Sequence, residues 1–497
     1  MDERKGTTYG HGHGRDLERS SDSFQAASGI IPSKASSDAE RRLRTKIDLH
    51  LVPIVAILYL FCFIDRANLG NAKIAGLDRD IGMVGYDYNI TLSVFYVGYI
   101  LFEIPAVLLC KYMGPGWFIP LTSIMFGICS ISTAFVKTVP QACAVRFLLG
   151  IFEAGMMPSI AYYLSRWYRR AELTFRISLY IVMAPLAGAF GGLLASAILS
   201  LPRISSLTSW RVIFAIEGLL TVFFAFLALI LLTDRPETAR WLSQEEKNLA
   251  VSRVKAERNT HGALLDKLGK RKFLQGATNP VTLSIGFSFM LDAIVVQTFA
   301  FFLPTIVKTI FPEKTTIQQQ LFTAPPYLVG ACIMLAMAFT SWRIDRRQIF
   351  FILSTPLVMA GYSMYLASAD QKIRYAAAFL SSCAFTLGTL TNAQVSANVV
   401  SDTARSAAIG INSMFAHIGG LIGSWSFLPY DAPLYPIGNG LNLASSGAIF
   451  AISAVTLVWM RWDNRRRDRV QAEGGGVLDD GDLEELDWRH PSFRWKP

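Results

Sequence analysis

The sequence predicts an all-α membrane protein with twelve transmembrane helices arranged as two six-helix halves. Of the 497 residues, 52% are hydrophobic and only 17% are charged. Apolar stretches recur along the chain at about 20 residues each, which is the length a helix needs to cross roughly 30 Å of hydrocarbon. Strands of a membrane barrel would be about half as long and would alternate in polarity, so the stretches predict helices.

The predicted spans follow a polar N-terminal segment of over 40 residues. This segment lacks the short apolar region and small-residue cleavage site of a secretory signal, so the first span is expected to remain as a helix. The spans are residues 47–69, 90–111, 117–137, 141–164, 177–201, 210–233, 281–309, 321–341, 348–368, 375–398, 407–428 and 442–461.

The net charge of +10 reflects membrane topology rather than a nucleic-acid partner. All the basic clusters fall on one side of the membrane if the chain starts in the cytoplasm, as the positive-inside rule requires. Both termini are therefore expected to be cytoplasmic, and the protein is expected to be a plasma-membrane monomer in contact with the lipid bilayer. The clusters contain Arg41, Arg42, Arg44, Lys46, Arg166, Arg169, Arg170, Arg176, Arg343, Arg346, Arg347, Arg461, Arg465, Arg466, Arg467 and Arg469.

The chain divides at a polar segment, residues 234–278, which separates two sets of six spans. Within this segment Ser243 and Glu246 have the spacing of a capping box and predict an amphipathic helix at the membrane surface. The predicted divisions are a disordered cytoplasmic tail (1–45), the first half (46–233), the linker (234–278), the second half (279–461) and a cytoplasmic tail (462–497). Gly, Ser and charge predict disorder for residues 1–40 and 470–497.

A pair of opposite charges, Asp65 and Arg66, lies inside the first apolar stretch. An intramembrane charge costs about 3 kcal/mol or more, so such residues face a partner, a cavity or a pathway. Two halves that enclose a site near the midplane form the architecture of many secondary transporters. Transport is therefore the leading functional hypothesis.

Two further charges, Arg146 and Glu153, are seven positions apart on the fourth span and share one face. Asp65 and Arg66 point roughly 100° apart, so one can meet Arg146 and the other Glu153 if the two helices face each other. Proton uptake by a carboxylate would then release its arginine to bind a substrate carboxylate. A fixed network that only orients the helices is the alternative.

Other polar residues inside the spans are weaker candidates. Glu103 precedes the helix-bending Pro105 and suits gating or bundle packing. Glu217 can pair with Arg211, Asp292 can line a cavity, and buried amides such as Asn398 and Asn412 can bind neutral substrate groups or join helices. His417 is expected to donate to a neighbouring carbonyl.

Several motifs resemble a known family across residues 46–461. They are FIDRANLGNAKIAGL in the first span, FYVGYILFEIP in the second, RFLLGIFEAGMMPSIAYYLSRWYRRAE in the fourth and DRPETARWLSQEE after the sixth. The chain is similar to the fungal allantoate permease family of the major facilitator superfamily. The resemblance implies a major facilitator fold and an anion:cation symporter that takes organic acids with protons.

The resemblance also implies roles for individual residues. Asp65 and Glu153, with Arg146, are expected to couple protons, and Arg66 is expected to bind the substrate. Asn398, Asn412 and Asp292 are further substrate-binding candidates. Gating is expected from Glu103 and from the equivalent loops of the two halves, through Lys111, Asp345 and Arg346.

The expected function is import of a small organic anion together with a proton. Two alternatives remain open, an exporter of an acidic fungal metabolite and a nutrient receptor with little flux. An enzyme is not expected, because the six His residues do not cluster in the sequence and there is no nucleotide-binding loop or G-x-S-x-G turn. No cofactor or metal is expected.

Overall fold

The structure, a computed structural model, describes residues 34–200, 209–260, 270–344, 346–472 and 486–497. Its regular elements within these ranges are helices, and twelve of them are long and apolar enough to cross a membrane. The predicted fold class is confirmed. The twelve helices are α1 (Asp38–Ile74), α2 (Asp87–Met113), α3 (Pro115–Thr133), α4 (Val139–Ser165), α5 (Leu179–Ser200), α6 (Trp210–Leu231), α7 (Pro280–Ile310), α8 (Thr316–Ser341), α9 (Gln348–Ala367), α10 (Gln371–Ala397), α11 (Thr403–Gly423) and α12 (Pro436–Ala472).

Helix starts in the second half are set by side-chain caps. The Asn279 side chain accepts hydrogen bonds from the backbone N–H groups of Val281 and Thr282 at the start of α7. Asp370 caps α10 in the same way, and Thr315 with Gln318 forms a capping box before α8. These caps satisfy backbone donors that have no partner inside the helix, so they fix where each span begins.

The helices pack as two halves, α1–α6 and α7–α12. Within the first half α3 packs on α6 and α2 on α4, and within the second half α7 packs on α11 and α9 on α12. Between the halves α2 meets α11 and α5 meets α8. Below, the distal end is the end of the bundle where α1 ends and α2 begins, and the proximal end is the one that carries the 234–278 linker.

The linker contains the predicted capped helix, Gln244–Thr260. The Ser243 hydroxyl accepts from the Glu246 backbone N–H at 3.2 Å, and the Glu246 carboxylate accepts from the Ser243 N–H at 2.8 Å. A second linker helix, Lys270–Ala277, packs against α11.

The C-terminal segment, residues 486–497, is ordered, so the predicted disorder is wrong there. Trp495 is only 2% exposed and belongs to the apolar core of the second half. Asp487 accepts hydrogen bonds from the backbone of Val400 and Ser401 ahead of α11, and Trp488 donates to the carbonyl of Gln275. Gly and charge predicted disorder, whereas the aromatic residues bury enough apolar surface to hold the segment.

The first predicted tail also needs correction, because a helix begins at Lys34, inside the segment 1–45 that was expected to be disordered. Residues 1–33 lie outside the described part of the chain.

The last helix, α12, runs eleven residues past the predicted end at 461. Its polar extension is stabilised by an ion pair one turn apart, Arg467 with Asp463 at 2.6 Å.

Candidate functional site

Arg66 on α1 forms a buried ion pair with Glu153 on α4. The Arg66 Nε atom lies 2.7 Å from Glu153 Oε2, and the two side chains are 8% and 0% exposed. This is one of the two pairs that the spacing of the charges predicted. The arginine keeps a small exposed fraction, whereas the glutamate is fully buried.

Aromatic rings and a thiol surround the Arg66 guanidinium. Its Cζ atom lies 4.7 Å from the ring centre of Phe63, 5.2 Å from Phe95 and 5.1 Å from Tyr99. The Cys62 thiol donates to Glu153 Oε2 at 3.3 Å. Cation–π attraction holds the guanidinium in place and leaves it less dependent on Glu153. Cys62 was not predicted to be a partner of this pair.

The second predicted pair does not form between charged groups. Arg146 Nη1 donates to the backbone carbonyl oxygen of Asp65 at 3.4 Å, and it does not pair with the Asp65 carboxylate. Asp65 Oδ1 instead accepts from the Ser130 hydroxyl on α3 at 2.9 Å. Among the described residues, Asp65 Oδ2 and Arg146 Nε and Nη2 are buried without a hydrogen-bond partner. The site therefore holds unused donors and acceptors next to the Arg66–Glu153 pair.

Helix α4 is interrupted directly after Glu153. Its two segments are Val139–Glu153 and Met156–Ser165. A Cβ atom at Gly155, in the interruption, would lie 2.8 Å from the Cβ atom of Ala106 and 3.0 Å from the Phe118 ring. Only glycine fits this close approach, which brings α2 and α3 against α4 and fixes where Glu153 lies.

A contact between a carboxylate and an imidazole links the two halves. Glu103 Oε2 on α2 lies 3.1 Å from His417 Nδ1 on α11, at ion-pair distance although the ring nitrogen is not aligned for a hydrogen bond. The His417 ring packs on Tyr99, with ring centres 4.2 Å apart. Tyr99 thus contacts both Arg66 and His417. The sequence assigned His417 to a carbonyl and did not predict this pairing.

The two halves are bonded together at the distal end. Asn89 Nδ2 on α2 donates to the carbonyl oxygens of Ser424 at 2.6 Å and Phe427 at 3.2 Å. The hydroxyls of Ser93 and Ser424 are 2.9 Å apart, and Gln320 donates to the carbonyl of Asn71. These bonds hold the two halves together at the distal end.

The predicted polar residues of the second half lie in three different settings. Asp292 on α7 is 2% exposed, and its Oδ2 atom has no hydrogen-bond partner in the described ranges. Asn412 donates to Asn392 Oδ1 at 2.7 Å. Asn398 binds the C-terminal segment, because it donates to the Lys496 carbonyl at 3.1 Å and accepts from the Lys496 N–H at 2.8 Å.

Two of the predicted gating residues, Lys111 and Arg346, lie at the proximal end. Lys111 and Arg346 are exposed, and Asp345 lies outside the described residues. Asp234, which follows α6, was not among the predicted residues. Its carboxylate accepts from Arg166 Nη1 at 3.0 and 3.1 Å and from the Gly116 N–H at 3.3 Å. Asp234 therefore ties the start of α3 to the end of α4.

Curated relatives are fungal transporters. The chain is 32% identical over 464 residues to the uncharacterized transporter C1039.04 of Schizosaccharomyces pombe, covering 92% of this chain and 90% of that protein. It is 32% identical over 489 residues to the MFS-type transporter efuF of Hormonema carpetanum, covering 96% and 97%.

Solved structures share the fold at low sequence identity. A bacterial homologue of the lysosomal transporter Spinster, in an inward-facing and unoccupied conformation, matches with a TM-score of 0.61 at 14% identity over 86% of this chain and 96% of that one. A D-xylose-proton symporter matches with a TM-score of 0.61 at 14% identity, over 81% and 97%.

The family model described as Major Facilitator Superfamily matches residues 55–424, which contain the Arg66–Glu153 pair and both partners of the Glu103–His417 contact. Twelve apolar helices make the chain an integral membrane protein. The chain belongs to the major facilitator superfamily and is a secondary transporter of small molecules rather than an enzyme.

Proposed function

We propose that the protein is a proton-coupled transporter that imports a small organic carboxylate by alternating access of its two halves. The observation that carries this proposal is the Arg66–Glu153 pair, which is 2.7 Å long and buried, with only the arginine partly exposed. A buried ion pair is weak evidence for stability, because desolvation offsets much of its attraction. Its presence inside a membrane helix favours a functional role.

Exchange of partners at Arg66 links the proton to the substrate. A proton that enters Glu153 removes the carboxylate's charge and weakens its hold on the guanidinium. The planar guanidinium can then bind a substrate carboxylate through two parallel hydrogen bonds. One proton and one substrate carboxylate together add no net charge to the buried site. Binding both therefore has a lower desolvation free energy than binding either one alone.

The second half supplies the other side of the proposed binding site. Tyr99, which packs on both Arg66 and His417, marks the boundary between the halves. Asp292 and Asn412 are the proposed contacts for the rest of the substrate. Asn398 reaches a substrate only if the C-terminal segment leaves, since both of its side-chain polar atoms bind Lys496.

The basic clusters orient the transporter. Arg166, Arg169, Arg343, Arg346 and Arg347 lie in or beside the proximal loops. The positive-inside rule therefore favours a cytoplasmic proximal end, and both termini are proposed to be cytoplasmic. In this proposal the distal bonds of Asn89 and Ser93 hold the outer side closed. Opening to the outside would break these bonds, and Lys111 and Arg346 are the described residues proposed to close the cytoplasmic side.

The proposed substrate class follows from the resemblance to the fungal allantoate permease family. The same resemblance suggests the proposed cellular role, a monomeric importer in the plasma membrane. The test is uptake into proteoliposomes of labelled nicotinate, pantothenate, biotin, allantoate, a sugar acid and a neutral dipeptide, with and without an inward proton gradient. Gradient-dependent accumulation of one acid supports the proposal. No accumulation by intact protein overturns it and leaves export or ligand sensing.

A further inference from the structure

Glu217 is a buried carboxyl group on α6 that the proposed mechanism does not use. The residue is 2% exposed, and both of its carboxyl oxygens are buried without a hydrogen-bond partner among the described residues. Arg211, the partner expected from the sequence, donates to the Ala134 carbonyl at 2.8 Å and lies over the Trp210 ring. Glu217 is therefore not part of an ion pair with Arg211.

The packing of α6 on α3 holds Glu217 beside the candidate site. A Cβ atom at Gly218 would lie 2.7 Å from the Ile131 backbone N and 2.9 Å from the Gly127 carbonyl, so the two backbones are in close contact. Ser130, which binds Asp65, belongs to the same stretch of α3. Phe214, one turn before Glu217 on the same face, lies 5.5 Å from the Arg146 guanidinium.

The charges that face this region do not balance. Helix α1 contributes Asp65 and Arg66, α4 contributes Arg146 and Glu153, and α6 contributes Glu217. Helix α3 adds only the thiol of Cys129. Three carboxyl groups thus accompany two guanidinium groups.

An ionised carboxylate without donors is far more costly in a dry interior than a neutral acid, because water no longer solvates its charge. Of the three carboxyl groups, Glu153 accepts from Arg66 and Cys62, and Asp65 accepts from Ser130. Glu217 accepts from no donor in the described ranges. The excess proton therefore belongs on Glu217.

We propose that Glu217 is held as a neutral carboxylic acid and exchanges its proton with Asp65, so that it is a third proton-exchanging group of the transporter. In this step the O–H bond of Glu217 breaks, an O–H bond forms on the unpartnered Oδ2 atom of Asp65, and the total charge does not change. The role in transport rests on the proposed proton coupling, whereas the protonation of Glu217 does not.

Infrared difference spectroscopy of the purified protein tests the protonation directly. We expect the wild-type spectrum minus that of Glu217→Gln to contain the carbonyl stretch of one protonated carboxylic acid. Loss of ionised-carboxylate bands instead would overturn the proposal. The exposed Glu237→Gln is the matched control and should remove ionised-carboxylate bands only. If Glu217→Gln does not fold, Glu217→Met, with an apolar side chain of similar size, supplies the same subtraction.

Uptake assays test the exchange with Asp65. We expect Glu217→Gln to slow proton-driven uptake by about a factor of ten or more, as expected for loss of a positioned proton donor, while exchange without a gradient continues. Unchanged proton-driven uptake would overturn the transport role. If wild-type protein shows no proton-driven uptake at all, the proposed function fails, and the infrared result still decides the state of Glu217.

Discussion

Replacing Glu153 by Gln removes the negative charge from the pair with Arg66 but keeps an oxygen that can accept from Arg66 Nε. The wild-type bond is 2.7 Å long and charge-assisted. Such bonds contribute about 1.5–3 kcal/mol and neutral ones about 0.5–1.5 kcal/mol, so the variant should lose about 1–1.5 kcal/mol of stability. The three surrounding rings continue to hold the guanidinium, so we expect the variant to fold.

The effect on transport should be much larger than the effect on stability. An inward gradient of about one pH unit supplies about 1.4 kcal/mol, which drives about tenfold accumulation when one proton accompanies each substrate. Glutamine cannot take up the proton, so Glu153→Gln should bring the substrate only to equal concentrations on both sides. Exchange of labelled for unlabelled substrate should continue, because Arg66 is free to bind it.

The assay is uptake into proteoliposomes with and without the gradient, alongside counterflow exchange and thermal unfolding of each variant. Glu237→Gln changes an exposed glutamate and should accumulate substrate as the wild type does. Tenfold accumulation by Glu153→Gln would refute the assignment of Glu153 as a proton-coupling residue. Loss of both accumulation and exchange in a folded variant would instead mean that Glu153 is needed for substrate binding.

Three further predictions follow from other contacts. Arg66→Lys should weaken substrate binding by about tenfold or more, because an ammonium cannot form two parallel hydrogen bonds to a carboxylate. Calorimetric titration measures the affinity, and an unchanged affinity would favour a purely structural network. Cysteines at Ser93 and Ser424, whose hydroxyls are 2.9 Å apart, should cross-link on oxidation and stop transport until a reductant is added, whereas either single variant should remain active. Trp495→Ala should lower the free energy of unfolding by about 3–5 kcal/mol, because the ring is 2% exposed in the core of the second half; Lys496→Ala, with an exposed side chain, should change little, and equal stability of the two would refute a structural role for the C-terminal segment.

Much of the fold could be predicted from the sequence because the deciding properties are local. The length and hydropathy of each span determine whether it crosses a membrane, and the spacing of Ser243 and Glu246 determines a helix start. The Arg66–Glu153 contact was also predicted, since Asp65 and Arg66 point in different directions on α1 and Arg146 and Glu153 share a face on α4. The sequence also predicted a second pair, Asp65 with Arg146, and that pair does not form between the charged groups.

The tertiary structure decided which donor meets which acceptor, because that depends on the rotation and separation of neighbouring helices. Arg146 donates to the Asp65 backbone carbonyl, and the Ser130 hydroxyl on α3 donates to the Asp65 carboxylate. His417 and Glu103 are 314 positions apart and meet only because α2 packs on α11. Glu217 lost its expected partner because the guanidinium of Arg211 turns to the Ala134 carbonyl. Hydropathy fixes the number of helices, but only close packing of their side chains fixes the angle at which each one presents its polar groups.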